Sequence, residues 1–201
     1  NLVSIHQIQE VDAHLCVVMP LADAAQDGYA SILDPKTYKP YSLDTLLERR
    51  GRLDAVAARE IALAIASAIH HLHEKGAAHL DVKPANVLRF DGVWKLGDYS
   101  LVATIGEPGV GGFTAGYCPP EFLGDRRADL YALGAVLFQL LTGRHVSDVD
   151  RFAQRSIRLP QDLGHCDEFD SVIRRLISTS DEQYANAGDA KRDLERIART
   201  M

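Results

Sequence analysis

The most informative stretch of this 201-residue sequence is His79-Leu80-Asp81-Val82-Lys83-Pro84-Ala85-Asn86, which carries an acid, a base and a carboxamide. Asp98 follows the next predicted hairpin, in Gly97-Asp98-Tyr99-Ser100. An Asp and an Asn with open coordination suit Mg²⁺, which prefers hard oxygen ligands and shares its shell with phosphates. A neighbouring lysine can neutralise a transferring phosphoryl group, and a second Asp can orient a hydroxyl nucleophile. These residue types therefore indicate phosphoryl transfer.

The elements on either side of this loop follow from apolar spacing and from turn residues. Asp54 is a predicted N-cap of a helix that has an apolar stripe at helical spacing and ends at Gly76. After the loop, Asp91-Gly92 separates two short apolar runs and predicts a hairpin of residues 87–90 and 93–96. The loop is therefore expected to connect a long helix to a hairpin.

The C-terminal half of the chain is predicted to be helical. Residues 128–141 are apolar on every side and stop at Gly143, which predicts a buried central helix. Two more helices are predicted near residues 167–178 and 186–199. The glycine- and proline-rich residues 104–120 predict irregular structure.

The N-terminal part is predicted to be extended. Two adjacent strands are expected in residues 2–8 and 15–19, with a turn at residues 10–12. Residues 22–41 contain several glycine and proline breaks and predict a long loop, a kind of segment that is usually functional or mobile. Ser42 is then the predicted N-cap of a short helix that ends near Gly51.

Composition limits the class of protein. The apolar share of 46% and the charged share of 25% are globular, and the net charge of −6 speaks against a nucleic-acid partner. The longest apolar run, Leu130–Phe138, is shorter than the roughly 20 residues that span a bilayer, so no membrane segment is expected in this chain. A reducing compartment, and hence the cytoplasm, is expected from three widely spaced cysteines: Cys16, Cys118 and Cys166.

These motifs resemble those of the protein kinase family. His79, Asp81 and Asn86 match that family's H-R-D-L-x-x-x-N catalytic loop, and Asp98 matches the first residue of its D-F-G motif. The resemblance continues downstream with a segment like the substrate-facing loop that ends in A-P-E and with the start of the buried helix after it. These two segments are Thr114–Glu121 and Asp129–Gly134.

The resemblance implies a mainly α fold with small β hairpins, namely the large, C-terminal lobe of a protein kinase. It assigns residues 1–22 to the last two strands of the small lobe and the hinge. It assigns residues 23–41 to a loop inserted at the hinge, and residues 42–201 to the large lobe.

The resemblance also implies roles at the reacting end of the site. Asp81 accepts a proton from the substrate hydroxyl or orients it, and Lys83 contacts the γ-phosphate of ATP. Asn86 and Asp98 bind Mg²⁺. The implied partners are therefore ATP, Mg²⁺ and a protein substrate.

At the adenine, the resemblance makes Met19 the gatekeeper residue. The Pro20 carbonyl and the Ala22 amide then face the adenine edge, and Leu88 packs under the ring. Proline has no N–H, but this position uses its carbonyl, so Pro20 is compatible with the role.

Further residues are implied to have structural or substrate-facing roles. Ile5, Tyr99 and His79 are expected to stack as an internal apolar column that is anchored by Asp129. Glu121 is expected to be structural. The substrate-facing loop is expected to include Thr114, Gly116 and Tyr117.

The sequence departs from the family pattern at several positions. Leu80 replaces an arginine that pairs with a phosphorylated activation loop, and residues 105–113 contain no Ser, Thr or Tyr. Control by activation-loop phosphorylation is therefore not expected.

Tyr99-Ser100 replaces Phe-Gly of D-F-G, so the tyrosine hydroxyl needs a partner if it is buried. Gln183 replaces the arginine that pairs with the glutamate matched by Glu121, which leaves one of the nearby arginines as a possible partner.

The family's glycine-rich phosphate loop, strand lysine and αC glutamate are not found within these residues. By the resemblance they precede residue 1, so residues 1–201 alone are expected to bind ATP poorly.

The expected function is that of a bacterial-type Ser/Thr protein kinase, because Lys83 and Thr114 match the Ser/Thr branch of the family. Two alternatives stay open. One is a pseudokinase that acts as a binding or scaffold module, which Leu80 and Tyr99-Ser100 favour. The other is a small-molecule kinase of related fold, which Thr114–Glu121 opposes because that loop serves a protein substrate.

Overall fold

The structure, a computed structural model, describes residues 1–12, 14–25, 36–106, 114–122, 124–146 and 158–197. These residues form five α-helices and three two-stranded antiparallel sheets. The mainly α fold with small β hairpins that the sequence predicts is therefore confirmed.

The helices begin and end close to the predicted residues. The Ser42 hydroxyl accepts a hydrogen bond from the Thr45 amide at 3.1 Å, and Asp54 accepts one from the Ala57 amide at 2.8 Å, so both predicted N-caps are confirmed. The five helices are α1 (Leu43–Arg50), α2 (Ala55–Glu74), α3 (Arg127–Thr142), α4 (Cys166–Ile177) and α5 (Ala187–Ile197).

Each sheet is a pair of short strands. Asp91 and Gly92 both have positive φ, at 49° and 81°, as a tight hairpin turn requires, so the predicted hairpin is confirmed. One pair was not expected, since Ala77–Ala78 and Ala103–Thr104 are too short to give an alternating pattern. The strands are β1 (Gln7–Val11) with β2 (His14–Val18), β3 (Ala77–Ala78) with β6 (Ala103–Thr104), and β4 (Val87–Phe90) with β5 (Val93–Leu96).

Helix α3 lies at the centre of the core, as its apolar sequence predicts. Every residue of α3 between its first and last is buried, and α2 and α4 pack against it. Gly134 allows the close approach of α4, because a Cβ there would lie 2.7 Å from Cγ2 of Ile177 and 2.8 Å from Cβ of Leu176. The helix that carries Asp129 is thus held rigidly within the domain.

The first strand begins later than predicted. It starts at Gln7, whereas Leu2 pairs in parallel with Leu96. The Val3 amide donates to the Leu96 carbonyl at 2.9 Å, and the Leu96 amide donates to the Asn1 carbonyl at 2.8 Å. Residues 1–3 therefore extend the β4–β5 hairpin sideways, because the outer edge of β5 offers unpaired backbone groups.

Helix α2 is the one helix in the described ranges that is long and apolar enough to cross a membrane by length and composition. A core helix of a soluble protein passes the same test. Seven of its side chains are buried, and it packs on α3 and α5, so this finding is weak support for a membrane segment.

Candidate active site

The catalytic-loop candidate is anchored on a buried carboxylate. Asp129, 1% exposed, accepts hydrogen bonds from the His79 amide at 2.8 Å and the Leu80 amide at 2.7 Å. It also bonds to the His73 ring at 2.9 Å. Leu80 has a φ of 64°, which is costly for a residue with a side chain, and the two amide bonds hold it there. The expected anchoring role of Asp129 agrees with these contacts.

The fully buried His79 connects this loop to the segment that carries Asp98. Its Nε2 lies 3.0 Å from the Gly97 carbonyl, and its Nδ1 accepts from the Asp81 amide at 3.4 Å. Burial lowers the pKa of His79 below its ordinary 6.5, which the charges of Asp129, Asp81 and Asp98 oppose only in part. A neutral imidazole with its proton on Nε2 satisfies both contacts.

Asp81 is the most densely bonded side chain of the loop. Its carboxylate accepts from the Thr114 hydroxyl at 2.7 Å and from the Asn86 amide at 2.9 Å, and it forms an ion pair with Lys83 at 2.7 Å. Burial raises the pKa of Asp81, but the bonds from Lys83, Thr114 and Asn86 outweigh it, so the pKa lies below the ordinary value. Asp81 is therefore ionised at neutral pH.

Asn86 and Asp98 meet at the open end of the β4–β5 hairpin. Asn86 directly precedes β4, Gly97 directly follows β5, and the Gly97 amide donates to the Asn86 carbonyl at 2.9 Å. Asp98 is the next residue and is exposed, and its φ of 60° turns the chain away from the strand. The hairpin thus places two residues with oxygen ligands, twelve positions apart in the sequence, at the same end of the β4–β5 pair.

These two side chains fit the hard-oxygen ligands that Mg²⁺ prefers. The Asn86 amide nitrogen donates to both the backbone and the carboxylate of Asp81, which leaves its oxygen without a donor among the described residues. In the described part of the chain, Asp98 accepts only a long bond from the Ser100 amide, at 3.3 Å. Mg²⁺ keeps several waters and shares its shell with phosphates, so two protein ligands suffice. Within the described ranges no group of three or more His, Cys, Asp or Glu side chains suits a metal.

Comparison with known proteins agrees with this geometry. The model of the protein kinase domain family matches residues 1–183. The chain belongs to the protein kinase family. It is 30% identical to the serine/threonine-protein kinase PknL of Mycobacterium tuberculosis over 199 residues, which cover 89% of this chain and 50% of PknL. It is 29% identical to the mitosis inhibitor protein kinase wee1 of Schizosaccharomyces pombe, over 92% of this chain and 22% of that protein.

A Wee1-like protein kinase of Oryza sativa is 33% identical over 108 residues, which cover 51% of this chain and 21% of that protein. The chain therefore spans half or less of the length of these relatives.

The internal apolar column expected of Ile5, Tyr99 and His79 is only partly formed. The His79 and Tyr99 rings lie 6.1 Å apart, and Tyr99 donates from its hydroxyl to the Val3 carbonyl at 2.5 Å and to the Leu96 carbonyl at 3.3 Å. The expectation that Ile5 completes the stack was wrong for this structure, because Ile5 is 40% exposed and lies outside both core clusters. Every residue of β1 is exposed, and so is every residue of β2 except the half-buried Cys16.

The predicted adenine residues lie on two segments that meet. Ala22 is buried with Val3 and Phe90, and Leu88 packs against this small cluster. Met19 is exposed at the end of β2. The structure brings Leu88 close to Ala22, whereas the adenine-facing roles of Met19 and Pro20 stay predictions.

The substrate-loop candidate is anchored by Tyr117. Its buried hydroxyl donates to Gln139 of α3 at 2.5 Å, and burial, reinforced by the charge of Asp44, raises its pKa. Thr114 lies at Asp81 and Gly116 has a φ of 89°. Tyr117 therefore holds the loop through its side chain, and sequence reasoning missed Gln139 because a polar residue in an apolar helix gives no signal of its partner.

Arg127, one of the arginines near Glu121, bonds to other groups. Arg127 donates to the Gln183 side-chain oxygen at 2.9 Å and to the Ser180 carbonyl at 2.9 Å, and it lies over the Phe122 ring. Glu121 is exposed and has no ion pair within the described ranges. In the described residues Arg127 instead pairs with Gln183, whose neutral amide accepts from the Arg127 guanidinium and donates to the Leu176 carbonyl of α4.

Proposed function

We propose that this kinase domain transfers the γ-phosphoryl group of ATP to a serine or threonine hydroxyl of a protein. The observation that carries the proposal is the Asp81 cluster, in which a buried carboxylate is kept ionised by Lys83, Thr114 and Asn86. Membership of the protein kinase family supports the same reaction. ATP, Mg²⁺ and the protein substrate belong to this proposal.

Asp81 acts in the transfer as the group that receives or directs the proton of the substrate hydroxyl. The hydroxyl oxygen forms a bond to the γ-phosphorus, and the bond from that phosphorus to the bridging oxygen of ADP breaks. The proton passes to the Asp81 carboxylate. Its contacts with Thr114 and Asn86 fix the direction of the carboxylate before the substrate arrives, which is how positioning lowers the barrier.

Lys83 is placed to neutralise charge on the transferring group. Its ammonium lies 2.7 Å from Asp81 and 3.1 Å from the Thr114 hydroxyl, and the side chain is only partly buried. An ammonium on a flexible stem can contact a phosphoryl oxygen while staying close to the carboxylate. The Asn86 and Asp98 oxygens would hold Mg²⁺, which would neutralise the phosphate oxygens of the bound nucleotide.

The choice of serine or threonine over tyrosine rests on the contact of Lys83 with Thr114. This pair matches the Ser/Thr branch of the family, and the similarity to the serine/threonine-protein kinase PknL supports the same choice. A pseudokinase scaffold is not favoured. Burying an ionised carboxylate costs free energy, and a protein that only binds a partner does not need such a group at this position. The three free cysteines are compatible with the proposed cytoplasmic location, because disulfides are rare in that compartment.

Asp81→Asn tests the reaction in the intact protein. The variant keeps the shape of the side chain but cannot take a proton, so turnover on a generic protein substrate should fall by roughly 10²- to 10⁴-fold. Mg·ADP affinity should change much less. Asp91→Asn is the matched control, because it makes the same substitution at an exposed turn residue. Equal turnover in both variants, or phosphotyrosine as the product, would contradict the proposal.

We also propose that activity does not depend on activation-loop phosphorylation. Leu80 carries no charge for a phosphate, and its side chain packs against the core. Residues 107–113, which belong to that loop, lie outside the described residues. Phosphatase treatment of the intact protein should leave its turnover unchanged, and a large loss would show that another cation binds the phosphate.

A further inference from the structure

The segment that follows the hinge candidate folds back onto it. The Ala25 amide donates to the Lys39 carbonyl at 2.9 Å, and the Tyr41 amide donates to the Asp23 carbonyl at 2.7 Å. On the other side, the Asp23 amide donates to the Arg89 carbonyl of β4 at 2.7 Å. Residues 22–25 are thus held between β4 and residues 38–41. Residues 26–35 of the predicted long loop lie outside the described residues.

Tyr38 adds a contact that backbone pairing alone does not supply. Its hydroxyl donates to the Ala22 carbonyl at 3.0 Å, and Ala22 is only 8% exposed. The Ala22 amide, by contrast, donates to no group in the part of the chain that the structure describes. Within the described residues, Ala22 therefore has an amide that is free to donate to a ligand and a carbonyl that already accepts from Tyr38.

We propose that Tyr38 is a specificity-determining residue of the nucleotide site, because its hydroxyl caps the Ala22 carbonyl. This inference rests on the proposed function, in which the Pro20 carbonyl and Ala22 amide face the purine. The edge then offers one acceptor and one donor, which suit the 6-amino group and N1 of adenine. A 2-amino group next to N1 would need the Ala22 carbonyl as its acceptor, and the Tyr38 hydroxyl occupies it.

The Tyr38 hydroxyl is well suited to a fixed cap. Burial raises the pKa of Tyr38, so the phenol stays protonated and remains a donor throughout the neutral range. The aromatic side chain has only two rotatable torsions before its ring, which limits the freedom that must be lost to hold the contact. Tyr38 lies in the segment of residues 38–41, which we call the strap. The backbone hydrogen bonds of Lys39 and Tyr41 hold the strap against residues 23–25.

The test compares the Mg²⁺ complexes of ADP and 2-aminoadenosine diphosphate by calorimetric titration of the intact protein. The wild type should bind the two with nearly equal affinity. Tyr38→Phe removes the cap and leaves the carbonyl open, so the preference for the 2-amino nucleotide should rise by about three- to tenfold, the factor of one net hydrogen bond. The ratio of the two nucleotide affinities is compared, so a variant that weakens the binding of both nucleotides equally leaves the ratio unchanged.

Tyr41→Phe is the matched control, because it deletes a hydroxyl on the same strap for which the described residues show no bond. Its ratio should equal that of the wild type. A wild-type preference above threefold for the 2-amino nucleotide would overturn the Tyr38 inference without requiring any variant. Nucleotide binding with an unchanged ratio in Tyr38→Phe would overturn it too, yet leave the proposed function standing. Failure of the wild type to bind ADP would overturn the proposed function itself.

Discussion

The catalytic-loop candidate and the β1–β2 ribbon are opposites in how their side chains are held. In the loop, a single carboxylate, Asp129, bonds two backbone amides and a histidine ring within a buried core. In the ribbon, large apolar side chains are exposed, and Leu15 is 72% exposed. The loop is determined by contacts within this chain, whereas the ribbon is held by its own ladder of backbone hydrogen bonds.

This difference explains why motif reasoning succeeded in one region and failed in the other. The positions of Asp81 and Asn86 follow from bonds to neighbours that the described chain supplies. Ile5 needs a packed neighbour to enter the column, and it is 40% exposed and lies outside both core clusters of the described residues. A two-stranded ribbon is only marginally stable on its own. Its apolar side chains are therefore buried only where another part of a protein packs on them.

The largest expected effect comes from deleting the anchor of the loop. Asp129→Ala leaves the His79 amide, the Leu80 amide and the His73 ring without a partner, at about 1–3 kcal/mol for each buried donor. The free energy of unfolding from urea denaturation should fall by about 3 kcal/mol or more. The exposed Asp167, for which no bond is described, provides the control, and Asp167→Ala should change stability by less than about 1 kcal/mol. Similar losses in both variants would show that the loop is not anchored through Asp129.

The second prediction concerns the pH dependence that His79 gives the loop. Burial lowers the pKa of His79. Below pH 6.5 this imidazole therefore binds a proton in the unfolded chain but stays neutral in the folded chain. Stability should therefore fall as the pH drops through 6.5, by up to about 1.4 kcal/mol per pH unit, and His79 should contribute almost no slope above about pH 7.5. Denaturation curves between pH 5 and 8 measure it. A His79→Asn variant with the same acid slope as the wild type would assign the effect to other groups.

Local sequence signals predicted what local chemistry determines. The hairpin followed from Asp91-Gly92 because a tight two-residue turn requires positive φ at both residues, which Asp and Gly tolerate. The bonds of Tyr38 to Ala22 and of Arg127 to Gln183 could not be predicted, since each joins residues at least sixteen positions apart without any repeating pattern. The predicted division of the chain at residues 22 and 41 stays a prediction.

The third prediction concerns Tyr99, whose hydroxyl joins the segment after β5 to residues 1–3. Tyr99→Phe removes the bonds to the Val3 and Leu96 carbonyls, which should cost about 0.5–1.5 kcal/mol of stability. Phenylalanine matches the family's D-F-G, so Mg·ADP affinity should be retained. Thermal unfolding of Tyr99→Phe beside Tyr41→Phe separates the loss of the hydroxyl bonds from a general effect of the substitution. A variant as stable as the wild type would mean that water replaces both bonds at no cost.

The smallest expected effect tests the ribbon. Leu15→Ser in residues 1–201 replaces an exposed apolar side chain, so the free energy of unfolding should change by no more than about 0.5 kcal/mol. Leu133→Ser, at a fully buried position of α3, is the contrasting variant, and it should cost several times more because it buries a hydroxyl and leaves a cavity. A loss above about 1.5 kcal/mol for Leu15→Ser would mean that the ribbon packs on part of this chain. The two regions would then differ in which residues cover them and no longer in whether their side chains are covered.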